Sequence, residues 1–216
     1  MSSPLPTLSL LETRILGVLV EKEHTVPDTY PLSLNSLTSG CNQKNNRDPV
    51  MDVGDAEVLA ALETQRGLSL IIESSGSRVT RYAQNVGRVL QVPSQAVAIL
   101  TALMLRGPQT VAELRANTER LHRFTDASSV EAFLAELSER SAGALVAELP
   151  RQAGTRENRW THLLSGMPDL PPPSLAAAPI RADSGLASRV VALEEEVATL
   201  RAELRALADR VDALGL

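Results

Sequence analysis

The densest polar constellation in the chain is Cys41-Asn42-Gln43-Lys44-Asn45-Asn46-Arg47-Asp48-Pro49. Amide side chains read base edges bidentately, and Lys and Arg neutralise phosphates, so this mixture suits nucleic-acid contact. A loop of this size also serves as a plain solvated connection, and both readings stay open at this point. Other chemistry finds less support. Cys41, His24, His122 and His162 are scattered, without the paired spacing of a zinc site. Ser74-Ser75-Gly76-Ser77 reads as a hairpin turn, not as a strand-to-helix phosphate loop. No nucleophile-elbow or HExxH pattern occurs. His122 and Asp126, four apart, fit a contact at a helix end better than a general-base pair. The expectation is a protein that binds partners, without enzymatic activity, cofactor or metal.

Charge limits how a polyanion could be met. The formal net charge is −5; residues 165–216 hold 5 Lys+Arg against 8 Asp+Glu, and residues 1–164 hold 16 against 18. Neither part is basic, so nucleic-acid contact has to be local. Aromatics make up 2% and apolar residues 44%, which calls for cores of Leu, Val, Ile and Ala in a helix-rich chain. There is no 18-residue apolar run and no secretory leader pattern after Met1, and Cys41 is the single cysteine. These point to a cytoplasmic protein without a membrane span.

The elements that must position the loop follow one plan twice. Ser9 and Glu12 have capping-box spacing, and Leu11, Ile15, Leu16, Leu19 and Val20 recur at helical spacing up to Pro27. A second helix fits Leu32–Ser39, closed by Gly40, and a third fits 55–65, with Val58, Leu59 and Leu62 inward and Gly67 as its stop. Leu68–Ile72 and Arg78–Ala83 then read as a hairpin. In the second copy, Ala96, Val97, Leu100, Leu103 and Met104 mark a helix from Pro93-Ser94 to Gly107-Pro108. Helices over 111–117 and 128–140 follow, the latter with Val130, Phe133, Leu134 and Leu137 inward, and then strands over 145–149 and 160–164. The fold class is therefore mainly α with small β-hairpins (α+β): two tandem winged-helix domains, residues 1–89 and 90–165, about 85 residues apart.

A Pro/Ala-rich linker over 166–185 precedes a tail whose apolar residues alternate four and three: Leu186, Val190, Leu193, Val197, Leu200, Leu204, Leu207, Val211 and Leu214. Val dominates the a positions and Leu fills every d, the pattern of a parallel two-stranded coiled coil over 186–214. Across such a pair Arg189 meets Glu194 and Glu196 meets Arg201, both attractive. The expected partner is a second copy of the chain.

In a helix-turn-helix protein the third helix enters the major groove. Here that helix carries Asp52, Asp55, Glu57 and Glu63 against Arg66, and its counterpart carries Glu131, Glu136 and Glu139 against Arg140. Phosphates would be repelled. The residues left for nucleic acid are Asn42, Gln43, Lys44, Asn46 and Arg47 with Arg78 and Arg81 of the first wing; Arg151, Arg156 and Arg159 lie in the second wing. Two functions compete: a dimeric, regulator-like DNA-binding protein, and a protein-interaction adaptor that uses its winged helices for docking.

The stretch Val26-Pro27-Asp28-Thr29-Tyr30-Pro31-Leu32-Ser33-Leu34-Asn35, with Cys41-Asn42-Gln43-Lys44 and Asn46-Arg47-Asp48-Pro49-Val50-Met51, resembles the signature of the YceH family of uncharacterised bacterial cytoplasmic proteins. The resemblance covers about residues 8–165 and implies tandem winged-helix domains. It brings no activity, ligand or catalytic residue with it.

Overall fold

The computed structural model describes residues 7–75, 79–151, 157–168 and Thr199. The chain divides into units spanning Met1–Pro171 and Pro172–Leu216, and every element named below lies in the first. The heptad residues from Leu186 to Leu214 lie outside the described residues.

Helix α1 (Leu10–Thr25) starts where Ser9 and Glu12 place it. The Glu12 N–H donates to Ser9 Oγ (3.2 Å) and the Ser9 N–H to Glu12 Oε2 (2.6 Å), which satisfies two otherwise orphaned donors. Strand β1 (Leu32–Ser33) leads into α2 (Leu34–Cys41), and α3 (Asp55–Gly67) leads into β2 (Ile71–Ser74) and β3 (Arg81–Gln84). The antiparallel sheet has order β1-β3-β2, with Leu32 opposite Tyr82 and Ile72 opposite Ala83. Helix α4 (Val86–Leu90) then precedes the second set: α5 (Ser94–Arg106), α6 (Val111–Asn117), α7 (Ala127–Ser138), β4 (Val146–Glu148) and β5 (Trp160–His162). Strands β4 and β5 pair antiparallel, and Gln109 bridges to Trp160 as β1 does to β3. This is an α+β architecture of helices with small antiparallel sheets, consistent with the winged-helix plan.

Five details differ from the sequence reading. Leu32 and Ser33 are strand, because they pair with Tyr82 and Arg81; Ser33 then caps α2 by accepting from the Ser36 N–H. Gly40 lies inside α2 and does not close it: a Cβ there would stand 2.6 Å from Val18 Cγ1, so the glycine marks the close approach of α2 to α1. On α3 the buried face is Val58, Ala61, Leu62 and Gln65, while Leu59 is 42% exposed. The hairpin strands begin about three residues late, because Leu68 closes α3, Ser69 takes φ 60°, and the Leu70 N–H bonds back to the Gln65 carbonyl. Helix α4 was not foreseen.

Both first helices are central. Residues 12–20 of α1 are buried throughout, as are residues 96–105 of α5. A helix hidden on all sides belongs to a core, not a surface. The two pack against each other at Gly17, where a Cβ would lie 2.8 Å from Leu105 Cδ2. One apolar cluster therefore runs from Leu8 and Ile15 through Leu100 and Leu103 to Leu134 and Leu164. No helix among the described residues is long and apolar enough to cross a membrane.

Candidate functional site

The connection between α2 and α3 lies against the ends of α1 and α5; most of its polar residues are exposed, but Arg47 is buried and Asn42 half-buried. All three Arg47 nitrogens donate. Nε donates to the Gly40 carbonyl (3.2 Å), and Nη1 to Glu21 Oε1 (3.1 Å) and the Asn46 carbonyl (2.9 Å). Nη2 reaches Glu21 Oε2 (2.5 Å) and Gln43 Oε1 (2.7 Å). Burial pushes the Glu21 carboxyl up, but the Arg47 fork and then Lys22 outweigh it and leave it below its ordinary value. Asn42 is a brace for the chain: its Nδ2 donates to the Val53 carbonyl (2.8 Å) and its Oδ1 accepts from the Val53 N–H (2.9 Å). The Asp48 N–H donates to the Leu105 carbonyl (2.8 Å), which ties the loop to α5.

A second buried arginine supports the loop from below. Arg14 of α1 donates from Nη1 to the Cys41 carbonyl (3.2 Å) and from Nη2 to the Pro49 carbonyl (2.8 Å), clasping the two ends of the loop. Its Nε has no partner, and burial, then Arg47, lowers its pKa. Sequence reasoning passed over Arg14. Its spacing held the signal, since Leu11, Arg14 and Val18 fall at i, i+3 and i+7, on the inward stripe of α1. Cys41 is buried beside it, and desolvation pushes its thiol up to about 12, so it is no nucleophile at neutral pH.

The residues chosen from sequence for nucleic acid thus divide. Asn42 and Arg47 are spent on the loop's own architecture. Gln43 accepts from Arg47 and from Lys22 Nζ (3.3 Å). Arg81, although exposed, donates to the Thr29 (3.3 Å) and Pro31 (2.7 Å) carbonyls. Arg159 donates to the Pro108 carbonyl (2.7 Å) and to Glu113 (3.1 Å). Arg78 and Arg156 lie outside the described residues. Lys44 and Asn46 keep exposed side chains, and Arg151 is also exposed. Asp126 caps α7 by accepting from the Ser129 N–H (2.8 Å), and His122 stacks edge-on against Phe124. No three His, Cys, Asp or Glu side chains among the described residues gather as a metal site.

What the fold does bring together is a set of cations remote in sequence. A cleft of about 290 Å³ is walled by the ends of α1 and α5, the α2–α3 connection and the start of the α6–α7 connection. Lys22, Lys44, Arg106 and Arg120 line it, against the single carboxylate of Glu21. On another part of the molecule, α3 and β2 present the opposite character. Asp55, Glu57 and Glu63 are exposed beside Leu59, and Arg66 joins Glu73 at 3.1 Å across to β2. Ile72 is 50% exposed and Val79 54%.

Residues 8–155 match the family model described as "Protein of unknown function, DUF480". The chain is 56% identical over 207 residues to a UPF0502 protein of Dechloromonas aromatica, covering 94% of this chain and 97% of the relative. A UPF0502 protein of Leptothrix cholodnii is 55% identical over 212 residues, covering 94% and 95%. One of Burkholderia multivorans is 58% identical over 207 residues, covering 96% and 84%.

Proposed function

This chain belongs to the DUF480 family, also named UPF0502, and we propose that it works by binding, as two winged-helix units in tandem that dock a protein partner. The observation that carries the reading is the α3–β2 face. In a DNA-binding winged helix, that face meets phosphates. Here α3 offers Asp55, Glu57 and Glu63, which repel a polyanion, with Asp55 and Glu63 one turn to either side of the exposed Leu59. An exposed leucine flanked along its helix by carboxylates suits a basic, amphipathic protein segment. A photo-crosslinker at position 59 of the full chain tests this. The expected outcome is one protein adduct, lost when Glu57→Lys and Glu63→Lys invert the rim. Adducts to nucleic acid alone would overturn the reading.

A second reading, nucleic-acid binding, has the cationic cleft in its favour, since Lys22, Lys44, Arg106 and Arg120 gather charge that a polyanion could neutralise. It requires retardation of genomic fragments at low salt that Lys44→Ala with Arg120→Ala removes. In either case the heptads of residues 186–214 support a parallel homodimer, a rod about 43 Å long joined through the 166–185 linker. Sedimentation of a chain ending at residue 165 should show a monomer; an unchanged dimer would remove the tail from that role.

A further inference from the structure

The cationic cleft has a chemistry of its own, independent of which macromolecule the α3–β2 face receives. Its one carboxylate is already engaged, because both Glu21 oxygens accept from Arg47 and Lys22 lies 3.4 Å from Oε2. The side chains of Lys44, Arg106 and Arg120 make no hydrogen bond or ion pair among the described residues. Arg106 is half-buried there, and desolvation, the largest influence on it, disfavours its charged form. A guanidinium removed from water without an acceptor is costly, and an anion within its reach would relieve the cost. The chain as a whole is negative, so an anion would be drawn by this cleft and not by the overall field.

Charge and size narrow the ligand. A carboxylate would leave two of the three unpaired cations uncompensated, whereas a phosphomonoester brings a charge of about −1.5 to −2 at neutral pH and a diphosphate more. Arginine forks match phosphate oxygens in pairs. The volume lies at the low end of small-molecule pockets, which run from about 300 to 1,000 Å³, and excludes a duplex from the interior. We propose that the cleft binds a small phosphorylated molecule through Lys44, Arg106 and Arg120. Such a ligand would bridge the α2–α3 connection to the α6–α7 connection and so clamp the two halves of the described fold together.

The test uses the full chain at low ionic strength, titrated calorimetrically with inorganic pyrophosphate, with ADP and with a short DNA duplex; sulfate at matched ionic strength serves as control. Pyrophosphate or ADP should bind saturably at one site per chain. The thermal midpoint should rise by roughly 5 °C or more at a hundredfold excess over Kd. Lys44→Ala with Arg120→Ala, both exposed positions, should weaken binding at least tenfold, while Arg88→Ala on α4 should leave it unchanged. Absence of saturation below about 1 mM would overturn the proposal, as would equal affinity in the double variant. Duplex binding with which pyrophosphate does not compete would overturn it too, in favour of the nucleic-acid reading. Crosslinking at position 59 is read separately, so failure of the cleft and failure of the docking face are distinguishable.

Discussion

Replacing Arg47 by Ala separates an architectural arginine from a nucleic-acid contact. The substitution deletes every donor of a side chain that is 0% exposed and leaves Glu21, whose side chain is 20% exposed, with Lys22 at 3.4 Å as its remaining cation. It also leaves the Gly40 carbonyl without its Nε donor and Gln43 Oε1 without its 2.7 Å donor. Removing one partner of a buried pair costs about 3–5 kcal/mol, most of it from the uncompensated charge left behind. Glu21 is partly solvated, so the lower end, about 3 kcal/mol, is expected, against a total stability of about 5–15 kcal/mol for a domain. Urea unfolding should show an earlier midpoint with an unchanged slope. Glu21→Gln in the Arg47→Ala background should cost much less than in the native background, giving a coupling of about 1–3 kcal/mol in a double-mutant cycle. The pH dependence has a definite sign. Glu21 has a lowered pKa in the fold, so its contribution is present above the unfolded carboxylate range and is lost as pH falls through the lowered value. Arg47→Ala should reduce that loss to the part that Lys22 sustains. Stability within about 0.5 kcal/mol of native would refute the architectural role and return Arg47 to the ligand-contacting set.

Two glycines should respond in opposite directions. Gly40→Ala drives a Cβ to 2.6 Å from Val18 Cγ1 and should cost about 1–3 kcal/mol, whereas Gly67→Ala meets nothing within 4 Å and should be neutral or stabilising by up to about 1 kcal/mol. Chemical denaturation of both variants reads the contrast, and equal effects would mean that the α1–α2 approach is not tight. His162 should make the fold acid-sensitive. Burial lowers its pKa from 6.5 to about 4, so the unfolded chain takes up the proton first as pH falls. Stability should be intact above pH 6.5 and decline by up to about 3 kcal/mol towards pH 4. His162→Gln should flatten that limb in urea midpoints measured from pH 7 to 4.5, and an identical slope would contradict the assignment.

Much of the fold is legible along the chain because its cues are local. A capping box needs only Ser9 and Glu12, and Thr110 with Glu113 repeats it at α6. Pro27 and Gly107 stop helices by their own backbone chemistry, and Gly107 takes φ 70°. The α5 and α6 spans, both sets of helices and hairpins, and the family signature could all be read within a few residues of each position. Misreadings arose where a distant partner decided the outcome. Leu32 became strand through Tyr82, and Gly40 stayed helical against Val18.

The candidate site was legible only as composition. From sequence, Asn42 and Arg47 look as available as Lys44, because exposure is not written in residue type. Their fates depend on Val53, 11 residues away, and on Glu21, 26 away, which chain closure brings within hydrogen-bond range. Once buried, an amide or guanidinium must take internal partners, so these side chains became framework. The sequence by itself determined most of the helices and the paired strands that follow them, and the heptad pattern, since each rests on contacts within a turn or on a period. Only the tertiary structure decided which polar groups are consumed. It also placed Lys22, Lys44, Arg106 and Arg120 around one cleft, because the packing of α1 on α5 brings those helix ends together and no local pattern encodes that.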